Sequence, residues 1–309
     1  MIVVFGSVNL DLVARVDRLP REGETIAGTS FAALPGGKGA NQALAARRAG
    51  ASVSMAGAVG ADGFAGAALR ELVAAGVDLQ AVRRVDMPTG IALIHVDAAG
   101  RNAITVIAGA NAHAAPEDVT DAALGPGTTL VLQLEAPLEA VAAIAIRARH
   151  QGARVILNAA PACPLSGDLI GALDVLIVNE HEAASIAASQ AMPAAPEDFA
   201  AAFHRRNGCS VVVTLGAAGA IAAVDGAIFT VEAPRVRVID TVGAGDALVG
   251  ALAAALDRGA DWRRAIAEGV AAGALACTVE GAQAALPDRA AIDALATTVV
   301  AGVRRRSLA

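Results

Sequence analysis

Short aliphatic runs alternate with longer segments whose apolar positions recur at helical spacing, and this pattern continues through most of the chain. Ile2–Phe5 predicts a first, buried strand. Gly39–Arg48 predicts a helix stopped by Gly50, Ser52–Ala58 a strand, and Asp62–Ala75 a helix stopped by Gly76. Leu130–Leu134 predicts a strand ending at Glu135, followed by a helix that begins near Pro137 and runs to about His150. Val155–Leu157 and Val175–Val178 read as strands, Glu180–Ser189 and Glu197–Arg206 as helices, and Val211–Leu215 as a strand. Ala220–Val224 and Ile228–Val231 read as a hairpin around Asp225-Gly226. Val236–Ile239 looks strand-like, and helices are expected over most of 244–258, 262–279 and 288–303. Such alternation predicts an α/β fold, a sheet with helices on both faces.

Two regions break the rhythm. Residues 11–35 carry short extended runs, Leu12–Val16 and Glu24–Thr29, separated by Pro20 and Gly23. Residues 89–108 read as a hairpin of Gly90–Val96 and Ala103–Ile107. Extended segments inserted between βα units predict a small separate sheet, used as a lid over a site or as a dimer contact. No linker divides the chain, so residues 1–309 are expected to form a single domain carrying these insertions.

Composition narrows the function. Hydrophobic residues make up 55% and charged residues 17%, which favours a sizeable core over disorder. A net charge of −6, 2% aromatics and no tyrosine disfavour a nucleic-acid binder built on stacking and basic patches. Cys163, Cys209 and Cys277 are far apart, and His95, His113, His150, His181 and His204 are scattered, so neither a disulfide framework nor a zinc site is expected. No leader-like or membrane-spanning run is apparent, which makes cytoplasmic the default expectation.

Two glycine-rich stretches carry the candidate chemistry. Asp240-Thr241-Val242-Gly243-Ala244-Gly245-Asp246 opens a helix-like run. Exposed N–H groups at a helix start suit phosphate. A carboxylate beside such a site repels that anion, unless Asp246 takes a proton from a hydroxyl that then attacks a phosphoryl group. The plainer alternative is a turn whose acidic first-turn residue suits the helix dipole. The second stretch is Gly36-Gly37-Lys38-Gly39-Ala40-Asn41. Lys38 is the only lysine among the 24 basic residues of a chain that otherwise uses arginine. A compact ammonium fits a glycine-walled site that a planar guanidinium does not, although a solvated loop lysine is the simpler reading. A Walker A loop is excluded because Gly39 follows Lys38, and no GxGxxG follows the first strand.

Both stretches, at this spacing, resemble the signatures of the ribokinase family of carbohydrate kinases. The likeness continues in order through Gly6-Ser7-Val8-Asn9-Leu10-Asp11, Gly23-Glu24-Thr25, Thr89-Gly90, Ala108-Gly109-Ala110-Asn111-Ala112, Gln133-Leu134-Glu135, Asn179-Glu180-His181-Glu182, Thr214-Leu215-Gly216 and Gly281-Ala282-Gln283. The resemblance implies a three-layer α/β sandwich with a central, mostly parallel sheet and a small β-lid. It implies ATP as phosphoryl donor with Mg²⁺, and transfer to the primary 5-hydroxyl of D-ribose. It makes Asp246 the base and the backbone N–H groups of Gly243, Ala244, Gly245 and Asp246 the anion hole. It assigns Asn9, Asp11, Gly37, Lys38, Asn41 and Glu135, with Asp246, to the sugar. Asn179, Thr214, Gly216, Gly219 and Gly245 fall to the nucleotide, with residues 270–273 near the adenine. Glu182 falls to Mg²⁺ and Asp240 to a monovalent cation such as K⁺. A homodimer joined through the lid is also implied.

Residue by residue, ordinary explanations remain. Asn9 and Asp11 could be turn residues, Asn41 a surface position early in its helix, Asn179 with Glu182 an ordinary helix start, and Glu135 a charge before Pro137. Two departures stand out. Ala284 and Ala285 stand where a serine is common, which puts potassium activation in doubt, and Ala247-Leu248 replaces the usual Thr-Phe. Another furanose such as 2-deoxyribose, a nucleoside, or sugar binding without catalysis are the competing expectations.

Overall fold

The computed structural model describes residues 1–308. The chain opens with β1 (Ile2–Phe5), β2 (Asn9–Val16), β3 (Gly28–Gly36), α1 (Lys38–Arg48), β4 (Val53–Gly60), α2 (Gly63–Ala74) and β5 (Asp78–Val85). It continues with β6 (Gly90–Val96), β7 (Asn102–Ile107), β8 (Thr129–Leu132), α3 (Leu138–Gln151), β9 (Arg154–Asn158), α4 (Gly167–Gly171) and β10 (Val175–Asn179). The remainder is α5 (Glu180–Gln190), α6 (Pro196–Asn207), β11 (Ser210–Thr214), β12 (Ala220–Val224), β13 (Ala227–Val231), α7 (Ala244–Asp257), α8 (Trp262–Ala276), α9 (Arg289–Ala301) and β14 (Arg304–Ser307).

Ten strands form the central sheet in the order β14-β13-β12-β11-β10-β9-β8-β1-β4-β5. The pairings from β5 through to β11 are parallel, and the β11-β12, β12-β13 and β13-β14 pairings are antiparallel. Parallel strands must be covered on both faces, and β1 shows how one strand serves two cores. Its side chains alternate: Ile2 and Val4 join the cluster under α1, α7 and α8, while Val3 and Phe5 join the cluster under α3, α5 and α6. The result is the expected three-layer sandwich.

α7 is buried nearly all round, because it is wedged between the sheet, α1 and α8. Its alanines allow that close packing. Gly250 decides where it meets α1: a Cβ there would lie 2.5 Å from the Ala45 Cβ and 2.8 Å from the Gln42 carbonyl oxygen. No larger residue permits this approach, which sets α1 beside the first turn of α7.

The two segments that interrupt the alternation pair with each other in a four-stranded sheet ordered β3-β2-β6-β7. The strand expected at 24–29 lies at Gly28–Gly36, because its partner is the full length of β2. Val236–Ile239 forms no strand, and Val238 and Ile239 are exposed, 60% and 59%. An apolar run without a sheet edge to join stays an extended loop. β5 and β14 escaped notice. Arg83-Arg84 interrupts the apolar pattern of β5, an edge strand. β14 reads Arg-Arg-Arg-Ser, and only pairing with β13 makes it a strand.

Candidate active site

Polar residues collect at the carboxyl ends of neighbouring parallel strands, where open α/β sheets bind ligands. Gln133 follows β8, Asn158 ends β9, Asn179 ends β10 and Thr214 ends β11. Over these ends sits the first turn of α7. Gly243 caps it in the left-handed region at φ 77°, and Asp246 is its third residue. The Ala244 N–H bonds the Thr241 carbonyl at 3.3 Å, while the Gly245 and Asp246 N–H groups have no carbonyl one turn back to bond. Such a helix start suits an anion, the chemistry expected of Gly243-Ala244-Gly245.

Asp246 is 7% exposed, and each carboxylate oxygen accepts an amide proton from α1. Asn41 donates to Oδ2 at 2.9 Å, and Gln42 donates to Oδ1 at 2.9 Å. Burial pushes the Asp246 carboxyl above its ordinary pKa, while Lys38, Asn41 and Gln42 pull it back and Glu135 opposes them. Gln283 Nε2 in turn donates to the Asn41 side-chain Oδ1 at 3.1 Å.

Lys38 starts α1, after Gly37. Burial, the largest single influence, lowers its pKa, yet Asp246, Glu135 and Glu182 together carry it above the usual lysine value. It is therefore a fixed positive charge among carboxylates. Glu135 is held from two sides: its Oε2 accepts from the Ser7 hydroxyl at 2.6 Å and from the Lys38 backbone N–H at 3.0 Å. That proximity requires Gly39, where a Cβ would lie 2.6 Å from the Ser7 nitrogen. Asp11, on β2, lies against Gly36 of β3. Burial, with Glu135 and Asp246 nearby, pushes its carboxyl up to about 6. Asn9 is buried, and its Oδ1 accepts from Asn111 Nδ2 at 2.7 Å. Asn111 also bonds the backbone of Val8 in both directions.

Two cavities meet at the α7 N-terminus. One, of about 240 Å³, is lined by Lys38, Asn158, Asn179, Glu182 and Asp246 among others. The other, of about 610 Å³, is mainly apolar and includes Gly216, Gly219, Val236, Leu248, Val270 and Gly273. Thr214, Thr241 and Gly245 border both. Asn9, Asp11 and Glu135 line neither, and Glu135 connects to the smaller one through the Lys38 N–H. The misread 236–239 segment thus contributes to the wall of the larger cavity.

Asn179 and Glu182 form a reciprocal capping box on α5, with both bonds at 2.8 Å. The ordinary helix-start reading is therefore correct as far as it goes, yet the same residues face the small cavity. Burial raises the Glu182 carboxyl, against its bond from the Asn179 N–H and the charges of Lys38 and His181. Asp240 accepts from the N–H groups of Val242 and Gly281, at 3.1 and 2.9 Å, so it braces the turn before α7 against the 277–283 segment. Among the described residues, no three His, Cys, Asp or Glu side chains group as a metal cage.

Sequence reading found the charged residues of this site but assigned no role to Ser7, Gln42, Asn111, Gln133, Asn158 or Gln283. All six are buried. The available signal was polarity in the wrong place: amides within an alanine-rich helix or closing an aliphatic strand.

The pfkB family carbohydrate kinase model matches residues 1–289. The chain is 36% identical to ribokinase of Schizosaccharomyces pombe over 94% of this chain and 96% of that one. It is 35% identical to deoxyribokinase of Salmonella typhi over 93% and 95%. The solved structure of Arabidopsis thaliana ribokinase complexed with ribose and ATP superposes with a TM-score of 0.87 at 32% identity, covering 96% of this chain and 98% of that one. The chain belongs to the pfkB family of carbohydrate kinases.

Proposed function

We propose that this protein transfers the γ-phosphoryl group of ATP to the primary 5-hydroxyl of D-ribose, giving D-ribose 5-phosphate and ADP. One observation carries the reading: a buried carboxylate, Asp246, at a helix N-terminus where a polar and an apolar cavity meet. ATP occupies the larger cavity, with its phosphates toward Gly245 and Thr214. The sugar lies between Lys38 and the four-stranded sheet, within reach of Asn9, Asp11, Asn41 and Glu135. Asp246 accepts the hydroxyl proton, the N–H groups of the α7 first turn bind the charge on the transferring group, and Lys38 neutralises the approach of phosphate to a carboxylate-rich site.

Glu182 would hold Mg²⁺ together with the nucleotide phosphates and water. Its Oε2 bonds the Asn179 N–H and its carboxylate faces the small cavity, which suits a metal held by one or two carboxylates plus phosphate. The metal would supply charge neutralisation on the phosphates. Asp240 is the proposed carboxylate of a K⁺ site, in which Ala284 and Ala285 offer no side-chain oxygen.

The four-stranded sheet, from 11–35 and 89–108 of a single domain, is proposed as the lid and as the contact of a homodimer. Leu34, Ile104 and Val106 are exposed, and by strand register they share a face with Asp11. A monomer mass at working concentration would count against the dimer. Cytoplasmic residence is part of the same reading: the three cysteines are free, and no helix among the described residues is long and apolar enough to cross a membrane. The deoxyribokinase likeness makes 2-deoxyribose the second substrate to consider. An ADP-release assay over pentoses, hexoses and nucleosides, with and without K⁺, tests the whole reading. Highest kcat/KM on D-ribose is expected; turnover only on 2-deoxyribose or a nucleoside would replace it.

A further inference from the structure

Behind Asp246 lies a chain of buried amides that the proposed chemistry does not use directly. Gln42 is fully buried, and its amide is fully committed. Nε2 donates to Asp246 Oδ1 at 2.9 Å and to Asn158 Oδ1 at 3.0 Å. Oε1 accepts from Gln133 Nε2 at 2.7 Å. The direction of every bond follows from one fixed point. The Ile177 carbonyl can only accept, so Asn158 turns its Nδ2 to it, at 3.2 Å. Asn158 Oδ1 then faces Gln42, which must present its NH₂ group there. That NH₂ leaves Asp246 Oδ1 only the role of acceptor. A backbone carbonyl of the central sheet thereby dictates, through two side chains, how the carboxylate is turned.

We propose that Gln42 is a positioning residue for phosphoryl transfer, orienting Asp246 and holding it ready to accept a proton, with Asn158 and Gln133 bracing it from behind. The inference rests on Asp246 being the base. Gln42 lines neither cavity and touches only Asp246, Asn158 and Gln133 through its amide. Its loss therefore acts through Asp246 and not through substrate affinity. An N–H donor favours the charged carboxylate, so its removal shifts ionisation of the base to higher pH. A buried amide kept only for packing would have no such effect on the pH profile.

The test is steady-state kinetics across pH on Gln42→Met, which preserves length and removes the amide. We expect kcat to fall roughly tenfold to a hundredfold, as for loss of a hydrogen bond to a charged group, with the KM values for sugar and ATP nearly unchanged. The acid limb of log kcat against pH should move up by about one unit. A folded Gln42→Met protein with wild-type kcat and acid limb would overturn the proposal. So would a rise in KM with kcat intact. Should Gln42→Met fail to fold, Gln133→Met keeps the Asp246 contact and removes the brace. A smaller shift of the acid limb in the same direction supports the proposal, and an unmoved limb overturns it. Asp246→Asn, run alongside, separates the two levels. If it turns over normally, the base assignment itself falls; if it is inactive while Gln42→Met is normal, only the role of Gln42 falls.

Discussion

The two cavities at the head of α7 are built by opposite means. Around Asp246, side chains are fixed by other side chains: Asn41 and Gln42 hold the aspartate, Gln283 holds Asn41, and Ser7 holds Glu135. Next door, the walls are mostly glycine, alanine and valine, with Leu248, Pro234 and Cys277 and with Arg235 as the one charged residue. On the proposed function, the difference follows from what each must do. Proton transfer needs a carboxylate turned within tenths of an ångström, in a dry place, and a buried charge is tolerated only when its hydrogen bonds are satisfied. An apolar slot needs shape, and small side chains on rigid elements supply it. Substitutions on the first side should therefore act on kcat, and those on the second on nucleotide KM.

The largest expected effect is Asp246→Asn, which should lower kcat by ~10²–10⁴-fold while sugar binding persists, measured by turnover and by calorimetric titration with the sugar. Near-normal turnover would remove the base from the comparison altogether. Lys38→Arg comes next. A planar fork in a space walled by Gly37 and Gly39 should cost roughly tenfold or more in kcat or sugar KM, and wild-type constants would refute a special need for lysine. On the other side, Ala274→Leu should crowd the apolar slot and raise the KM for ATP by about tenfold, with sugar KM unchanged. Equal changes in both would erase the division between the cavities.

The last effect is read on stability and not on turnover, and it has a defined sign. The Asp11 carboxyl titrates at about 6, above its ordinary 3.8. The folded state therefore binds this proton more tightly than the unfolded chain. Stability falls as pH rises from about 4 to about 6 and remains reduced above that, by on the order of 3 kcal/mol for this group alone. Asp11→Asn should raise Tm by a few degrees at pH 7.5, with the gain vanishing toward pH 4, while weakening sugar binding. A pH-independent change in Tm would show that Asp11 is not the strained group. Such a site gives up stability for a function that needs its carboxylates close together.

Much of this was legible in order along the chain. The β1 pattern, the glycine stops after α1 and α2, and the turn at Gly243-Ala244-Gly245 each depend on near neighbours, so periodicity and turn chemistry reveal them. Asp246 and Lys38 stood out because a carboxylate and a lone lysine are conspicuous among glycines. β5 and β14 were not legible, since charged edge strands exist only by virtue of the strand beside them. Val236–Ile239 misled for the complementary reason: its residues suit a strand, but no edge receives it.

The sequence by itself determined the alternation of strands and helices, the phosphate-suited turn and the identity of the charged groups, because these are properties of neighbours along the chain. The tertiary structure alone decided what those groups do to one another. Gln42 meets Asp246 because Gly250 lets α1 and α7 touch, and Asn158 meets Gln42 because β9 ends beneath them. The direction of those amides is then set by a carbonyl on β10. Hydrogen bonds act over about 3 Å, and Gln42 reaches Asp246 and Asn158 across separations of 204 and 116 positions, so their pattern appears only once the layers have packed.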